Sequence, residues 1–176
     1  MKSFNRFSLA ALLCGSSLAM AGELTITMHA VDANGIGATL GTLLAADSKD
    51  GLALTPQLSG LTPGLHGFHV HQNPDCAPGM KDDKMAAAIA AGGHLDPGKT
   101  NKHAGPMGNG HSGDLPALNV GADGKATTPV TAPHLKTADL HGHSVIIHAS
   151  ADNYSDQPKP LGGGGARVAC GVVDGK

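Results

Sequence analysis

The chain has 176 residues, of which 12 are basic and 14 are acidic, and this near balance excludes the strongly basic surface that nucleic acids and anionic membranes require. It contains no tryptophan, one tyrosine and three phenylalanines, so an aliphatic core must be supported by cross-links or metal ions. The length suits one domain of ordinary size.

The first 21 residues have the features of a secretion signal. Lys2 and Arg6 give a positive start, residues 7–18 are mostly apolar, and Ala19-Met20-Ala21 has the small-x-small pattern of a cleavage site. We therefore predict a signal peptide over residues 1–21 and secretion of the mature chain.

Removal of this segment leaves a mature domain of residues 22–176 with 10 basic and 14 acidic residues, a formal charge of −4. The apolar stretch is too short to serve as a transmembrane anchor, so no membrane association is expected after cleavage. Lipidation of Cys14 is an alternative, although the bulky Leu13 before it fits such a site poorly.

The mature chain consists of short apolar or alternating runs separated by Gly, Asp, Asn and Pro. They predict eight strands, at residues 23–31, 36–46, 51–58, 65–71, 115–120, 125–130, 143–149 and 166–173. Asn34-Gly35, Asp50-Gly51 and Asp123-Gly124 indicate turns, and only residues 82–91 have a helical pattern. This predicts an all-β fold, an eight-stranded antiparallel Greek-key sandwich or barrel.

Two long connections interrupt these strands, at residues 72–114 and 150–165. Connections of this length inside a compact domain are usually functional, and the histidines concentrate in and beside the first of them. The mature chain also keeps two cysteines, Cys76 and Cys170, which in an exported protein predict a disulfide. Its loop of about 95 residues corresponds to a stabilisation on the order of 4–5 kcal/mol.

The spacing of the histidines indicates metal binding. His69 and His71 lie two residues apart in a predicted strand, so their side chains point to the same face. Three imidazoles and a carboxylate suited to tetrahedral zinc follow in the glycine-rich first connection, at His94, His103, His111 and Asp114. His148 ends a later apolar strand. Any one of these histidines alone would be read as an ordinary surface or core residue, but the whole set would not.

The chain resembles the bacterial periplasmic form of the copper/zinc superoxide dismutases across essentially the whole mature sequence. The stretches that carry the resemblance are Gly67-Phe68-His69-Val70-His71, Gly93-His94-Leu95-Asp96-Pro97, Gly105-Pro106, Gly110-His111-Ser112-Gly113-Asp114-Leu115-Pro116, and Gly162–Gly165 with Ala166-Arg167-Val168-Ala169-Cys170-Gly171-Val172.

The resemblance implies one copper and one zinc ion per subunit. Copper would be bound by His69, His71, His94 and His148, and zinc by His94, His103, His111 and Asp114. His94 would then place one ring nitrogen on each metal. The implied activity is dismutation of superoxide to dioxygen and hydrogen peroxide through a Cu(II)/Cu(I) cycle, in which zinc only structures the site and His94 also carries a proton.

Further roles follow from the same resemblance. Arg167 would attract and orient the superoxide anion, and the disulfide would help to fix it. Asp152 would hydrogen-bond one copper and one zinc histidine, here His69 and His103, and His66 would support the copper pair. The long connections also carry three lysines, Lys81, Lys84 and Lys159. They could steer the anion towards the site or simply be solvated surface residues, and the sequence favours neither role.

Three alternatives compete with an enzyme of this kind. The first is a periplasmic protein that stores or delivers copper or zinc, although such relatives lose ligands or the arginine. A zinc hydrolase would require an aspartate and a histidine directly after His71, where Gln72-Asn73-Pro74 stand instead. A purely structural sandwich would not need so many histidines. Monomer and homodimer are equally compatible with the sequence, and His29, His134, His141 and His143 receive no role beyond surface or packing.

Overall fold

The computed structural model describes residues 22–175, and the predicted signal peptide lies outside this range. The described chain forms eleven strands and three short 3-10 turns, the latter at Ile89–Ala91, Thr137–Leu140 and Leu161–Gly163. The strands are β1 (Glu23–Asp32), β2 (Gly35–Ser48), β3 (Gly51–Leu58), β4 (Gly64–His66), β5 (Phe68–His71), β6 (Gly79–Lys81), β7 (Lys84–Ala86), β8 (Leu118–Val120), β9 (Val130–Ala132), β10 (His143–His148) and β11 (Arg167–Val173). No helix in the described part is long and apolar enough to cross a membrane.

Seven strands form one antiparallel sheet in the order β5-β10-β11-β1-β2-β3-β9. Two small pairs, β4 with β8 and β6 with β7, stand apart from it. Alternate side chains of the long strands point to one face of the sheet, which is buried. The main core on this face is formed by aliphatic side chains such as Ile26, Leu43 and Leu54, together with Phe68 and Val70. The all-β antiparallel prediction is confirmed.

A smaller apolar cluster covers the other face of the sheet beside β10 and β11. It is formed by Val31, Cys76, Ala88, Ala91, Ile146 and Cys170. Cys76 and Cys170 are joined in a disulfide with their Cα atoms 5.9 Å apart, as predicted. The cross-link holds the first long connection against β11, the strand that begins with Arg167.

Strand β5 is an edge strand, and the first long connection supplies the hydrogen bonds that its free edge needs. The Val70 amide donates to the Gly113 carbonyl at 2.9 Å, and the Leu95 amide donates to the Val70 carbonyl at 2.8 Å. Isolated bridges consequently form between His69 and Asp114 and between His71 and His94. The hydrogen bonds that pair the free edge of β5 thus bring distant parts of the connection beside His69 and His71.

The predicted strand at residues 65–71 is divided at Gly67. The Gly67 amide donates to the Ser150 carbonyl, the His148 amide donates to the Gly67 carbonyl, and both bonds are 2.8 Å long. A Cβ atom at this position would lie 3.3 Å from the His69 ring. Gly67 is therefore where the chain leaves the pairing with β8 and joins the main sheet beside β10.

The predicted helical pattern at residues 82–91 is wrong. Strands β6 and β7 form a hairpin there, in which Asp82 and Asp83 both have positive φ values (49° and 60°). Aspartate tolerates this conformation, which matches the twist of a two-residue hairpin turn. The only helical turn of this stretch is the 3-10 turn Ile89–Ala91.

The strands predicted on either side of Asp123-Gly124 are also shorter than expected. Only Leu118–Val120 of the first is a strand, and the second is shifted to Val130–Ala132, where it pairs with β3. The turn itself forms, since the Gly124 amide donates to the Gly121 carbonyl at 2.9 Å. Pro129 has no amide hydrogen to give to a ladder, which favours a break before Val130.

Candidate metal centre

Two groups of buried side chains offer ligand atoms that converge on one point. In each group the ligand atoms lie within 4.8 Å of one another. The first consists of His69, His71, His94 and His148, and the second of His69, His94, His103 and Asp114. The first group is the set predicted for copper.

The sheet positions the first group directly. His69 and His71 alternate along β5 with the core residues Phe68 and Val70, so both rings lie on the opposite face. His148 ends β10, the neighbour of β5, and Ile146 of β10 lies directly opposite His69. The rings of His69 and His94 are stacked with their centroids 3.9 Å apart.

Hydrogen bonds fix which nitrogen of each ring faces the cluster. His71 Nδ1 donates to the Gly92 carbonyl at 3.0 Å, and His148 Nδ1 donates to the Gly165 carbonyl at 3.2 Å. A carbonyl oxygen can only accept, so in the neutral rings Nε2 carries the lone pair. Such anchoring of the second nitrogen is typical of metal-binding histidines.

Asp152 connects the two groups. Its Oδ2 accepts a hydrogen bond from His69 Nε2 at 2.6 Å, and its Oδ1 accepts one from His103 Nε2 at 2.8 Å. The carboxylate is buried, with 1% of the side chain exposed. Gly162 must pass so close to this carboxylate that any Cβ atom would overlap it, and its φ of 69° also favours glycine.

Three imidazole nitrogens surround the carboxylate of Asp114. His94 Nδ1 lies 2.9 Å from Oδ1, His103 Nδ1 lies 3.0 Å from Oδ2, and His111 Nδ1 lies 3.4 Å from Oδ1. Of these contacts only that of His94 has the direction of a hydrogen bond. The convergent second group contains His69 in place of the predicted zinc ligand His111, whose Nδ1 lies 3.4 Å from Asp114 Oδ1.

The ring nitrogens that point into the cluster fit metal ions. Five of them are buried without a hydrogen-bond partner, namely His69 Nδ1, His71 Nε2, His103 Nδ1, His111 Nδ1 and His148 Nε2. A buried polar atom without a partner is costly, and so many on one cluster indicate partners other than protein atoms. Imidazole nitrogen suits both copper and zinc, and a carboxylate is an ordinary further ligand for zinc.

A cavity of about 370 Å³ opens beside the first group. It is lined by His71, His94 and His148 and by the cationic side chains Lys81, Lys159 and Arg167. None of its lining residues within the described chain is acidic. Arg167 donates from Nη1 to the Ala88 carbonyl and from Nη2 to the Gly92 carbonyl, the latter at 2.5 Å. The cavity thus presents positive charge next to the imidazoles.

A family model of copper/zinc superoxide dismutases (SODC) matches residues 40–173. The chain belongs to this family. It is 53% identical to superoxide dismutase [Cu-Zn] 1 of Salmonella typhimurium (strain 4/74), over 96% of this chain and 99% of that protein.

Two solved structures show the same similarity. The copper/zinc superoxide dismutase from Brucella abortus matches with a TM-score of 0.85 and 51% identity, over 87% of this chain and 100% of that one. The solution structure of the monomeric copper, zinc superoxide dismutase from Salmonella enterica matches with a TM-score of 0.77 and 53% identity, over 86% and 99%. Family membership confirms the predicted fold and enzyme class.

The remaining predicted site residues lie where they can support the cluster. His66 is buried, and its Nδ1 and Nε2 lie 2.6 Å and 2.7 Å from the carbonyl oxygens of His148 and Thr62. Sequence reasoning missed Asp156, whose Oδ2 accepts a hydrogen bond from the His103 amide at 2.9 Å. Nothing in the spacing of the sequence singles out this carboxylate.

We expect the metal-free protein to lose stability as the pH falls below about 6.5. Burial lowers the pKa of His94 to about 4 and the pKa of His148 to about 3. In the unfolded chain both rings titrate near the ordinary value of about 6.5, so between that pH and about 4 the unfolded chain binds more protons. The free energy of unfolding should then fall by about 1.4 kcal/mol per pH unit for each histidine.

His103 has the opposite effect on the free energy of unfolding, at pH values above about 6.5. Burial lowers its pKa, but the contacts with Asp114 and Asp152 outweigh burial and raise the pKa to about 9. The folded chain therefore holds an extra proton between pH 6.5 and 9, and stability contributed by this group is lost as the pH rises through 9. Urea unfolding of chelator-treated protein should give a maximum near neutral pH. His148→Gln should reduce the acid slope, and an unchanged slope would contradict the assignment.

Proposed function

We propose that the protein converts two superoxide anions and two protons into one dioxygen and one hydrogen peroxide. Copper is held by His69, His71, His94 and His148, and zinc is held by His94, His103, His111 and Asp114. The observation that carries this assignment is the pair of buried ligand groups, which share His69 and His94 and lie beside a cationic cavity. Copper, when bound, supplies the one-electron exchange with superoxide, and zinc supplies a fixed positive charge without redox chemistry.

The chain's own residues determine which atoms face the ions. Backbone carbonyls hold His71 and His148 so that Nε2 is presented, whereas Asp152 holds His69 and His103 so that Nδ1 is presented. The group that accepts a hydrogen bond from each ring thus decides which of the two ring nitrogens is left free for a metal ion. The hydrogen-bond pattern therefore supports two preorganised sites.

His94 is the residue through which the two sites are coupled. Its Nδ1 lies in the group around Asp114, while the ring also lines the cationic cavity. We infer that Nε2 takes up a proton when it is free and gives that proton to reduced oxygen in the cavity. The reaction consumes protons, so a titratable nitrogen beside the substrate cavity meets a chemical need.

Arg167 and two lysines supply the attraction for the anion. The guanidinium is half buried and is held by two backbone carbonyls, whereas Lys81 and Lys159 are exposed at the rim of the cavity. A fixed fork of N–H donors suits orientation of a small anion, and exposed ammonium groups suit long-range steering. Lys84 does not line this cavity.

A storage or delivery role would need the ligands alone. The cationic cavity beside the first group favours an anionic substrate and therefore favours the enzyme. Export to the periplasm remains our proposal for residues 1–21, and the monomeric relative from Salmonella supports a monomer for this chain.

The decisive experiment measures superoxide decay by stopped-flow or pulse radiolysis with tag-free protein that contains one copper and one zinc ion. We expect rapid, cyanide-sensitive decay and no catalysis by protein loaded with zinc alone. Full copper occupancy without catalysis would contradict the proposed function and would favour storage.

A further inference from the structure

A second cavity, of about 260 Å³, lies beside the loop that carries His94 and His111. Its walls include Leu95 and Ser112, the residues next to those two histidines, but it shares no lining residue with the cationic cavity. Three other histidines and an acidic residue also line it, namely His134, His141, His143 and Asp139. We call this space the histidine cavity.

Two of these imidazoles are held in the state that a metal ion requires. His141 Nδ1 donates to the Asp174 carbonyl at 2.9 Å, and His143 Nδ1 donates to the Gln72 carbonyl at 2.7 Å. Because a carbonyl oxygen has no proton to give, Nε2 of each neutral ring carries a lone pair. The same anchoring is seen at His71 and His148 in the main centre. It orients a ring for a ligand on its other side.

The other two polar groups complete a mixed donor set. His134 and Asp139 are exposed, and Asp139 Oδ2 accepts a hydrogen bond from the Lys136 amide at 2.8 Å. The 3-10 turn Thr137–Leu140 brings the chain back, so that histidines on either side of it line the same cavity. The set therefore combines two anchored imidazoles with an imidazole and a carboxylate at the solvent side.

The four groups do not yet meet at bonding distance. Within the described residues, only the main centre has three or more such ligand atoms within 4.8 Å of one another. His134 is exposed, so its side chain can change rotamer without repacking the core, whereas His141 and His143 are each held by a backbone carbonyl. A cavity of this volume also leaves room for water molecules on an ion.

We propose that the histidine cavity binds a third metal ion, a partly hydrated divalent transition metal such as zinc(II) or copper(II). His141 and His143 are its anchored ligands, with His134 and Asp139 closing from the solvent side. Imidazole donors favour these ions over magnesium or calcium, which prefer oxygen. The site is separate from the two sites of the proposed function and does not depend on them.

The test starts from tag-free holoprotein whose copper and zinc contents are each one per chain. Zinc(II) is titrated by calorimetry slightly above neutral pH, and copper retention is checked by metal analysis. We expect one additional zinc ion per chain. The triple variant His134→Ala/His141→Ala/His143→Ala should weaken its binding at least about tenfold, while superoxide removal is unchanged.

Two further variants make the result specific. His29→Ala removes a histidine that does not line the histidine cavity and should leave the additional ion in place. The single variants His141→Gln and His143→Gln should each weaken binding, which keeps the test valid if the triple variant does not fold. Absence of a third ion in the holoprotein, or equal affinity in the cavity variants, would overturn the proposal. Loss of copper without a third ion would also overturn it.

Discussion

Replacing Asp152 with alanine is expected to weaken the binding of both metals by about 10- to 100-fold. One carboxylate fixes His69 through Oδ2 and His103 through Oδ1, and a carboxylate can accept from both rings at once. Asparagine has a single acceptor oxygen, so Asp152→Asn should impair mainly one of the two sites. Competition with chelators of known affinity would measure each metal separately.

Asp156→Asn is the matched control for this prediction. Asp156 lies in the same connection, and its hydrogen bonds within the described residues go to backbone amides, those of His103 and Leu161, and not to an imidazole ring. We therefore expect a smaller loss of metal affinity than for Asp152→Ala. If both variants lost metal equally, a general loosening of the connection would explain the result. The proposed role of Asp152 in orienting the two rings would then be wrong.

The sequence predicts this centre well because its ligands combine local spacing with a recognisable family pattern. Alternation in a strand places His69 and His71 on one face, and this follows from geometry alone. The residue types of the long connection predict His94, His103, His111 and Asp114 as one zinc-binding set, whereas the assignment of His94 to copper as well came only from the resemblance. The structure adds the physical reason, since backbone bonds to the free edge of β5 carry His94 and Asp114 to their positions.

What the sequence did not predict depends on backbone atoms and on local turns. The carbonyl oxygen of Gly92 accepts from both His71 and Arg167, yet a carbonyl belongs to every residue and leaves no sequence signal. The pattern of residues 82–91 predicts a helix, whereas the chain forms a hairpin turn at Asp82-Asp83. Aspartate in a left-handed conformation decided the outcome there.

The shared acceptor at Gly92 has a consequence for the mechanism. A ring proposed to bind copper and a guanidinium proposed to bind superoxide are held by the same oxygen atom. The segment that carries Gly92 packs under the disulfide, through Ala88 and Ala91 in the cluster with Cys76 and Cys170. The cross-link thus stabilises the surroundings of the ligand and of the anion-binding group together.

Arg167→Ala is expected to lower kcat/KM for superoxide by about ten- to a hundredfold while copper and zinc contents stay unchanged. The variant removes the fixed positive charge that the cavity presents beside His71 and His148. Arg167→Lys keeps the charge but loses the planar fork of N–H donors, so its decrease in kcat/KM should be smaller. The difference between the two variants measures how much the guanidinium contributes by orienting the anion. The rate of the alanine variant should also depend less on ionic strength.

Lys125→Ala provides the control for a general change in charge. Lys125 lies at an exposed turn near Asp123 and does not line the cationic cavity, so we expect nearly wild-type kinetics. Because Arg167 shares the Gly92 carbonyl with His71, copper content must be measured for every variant before rates are compared. Loss of copper from Arg167→Ala would assign the guanidinium to the support of His71. Retained copper with a lower, less salt-dependent rate is the result expected of a residue that attracts and orients the anion.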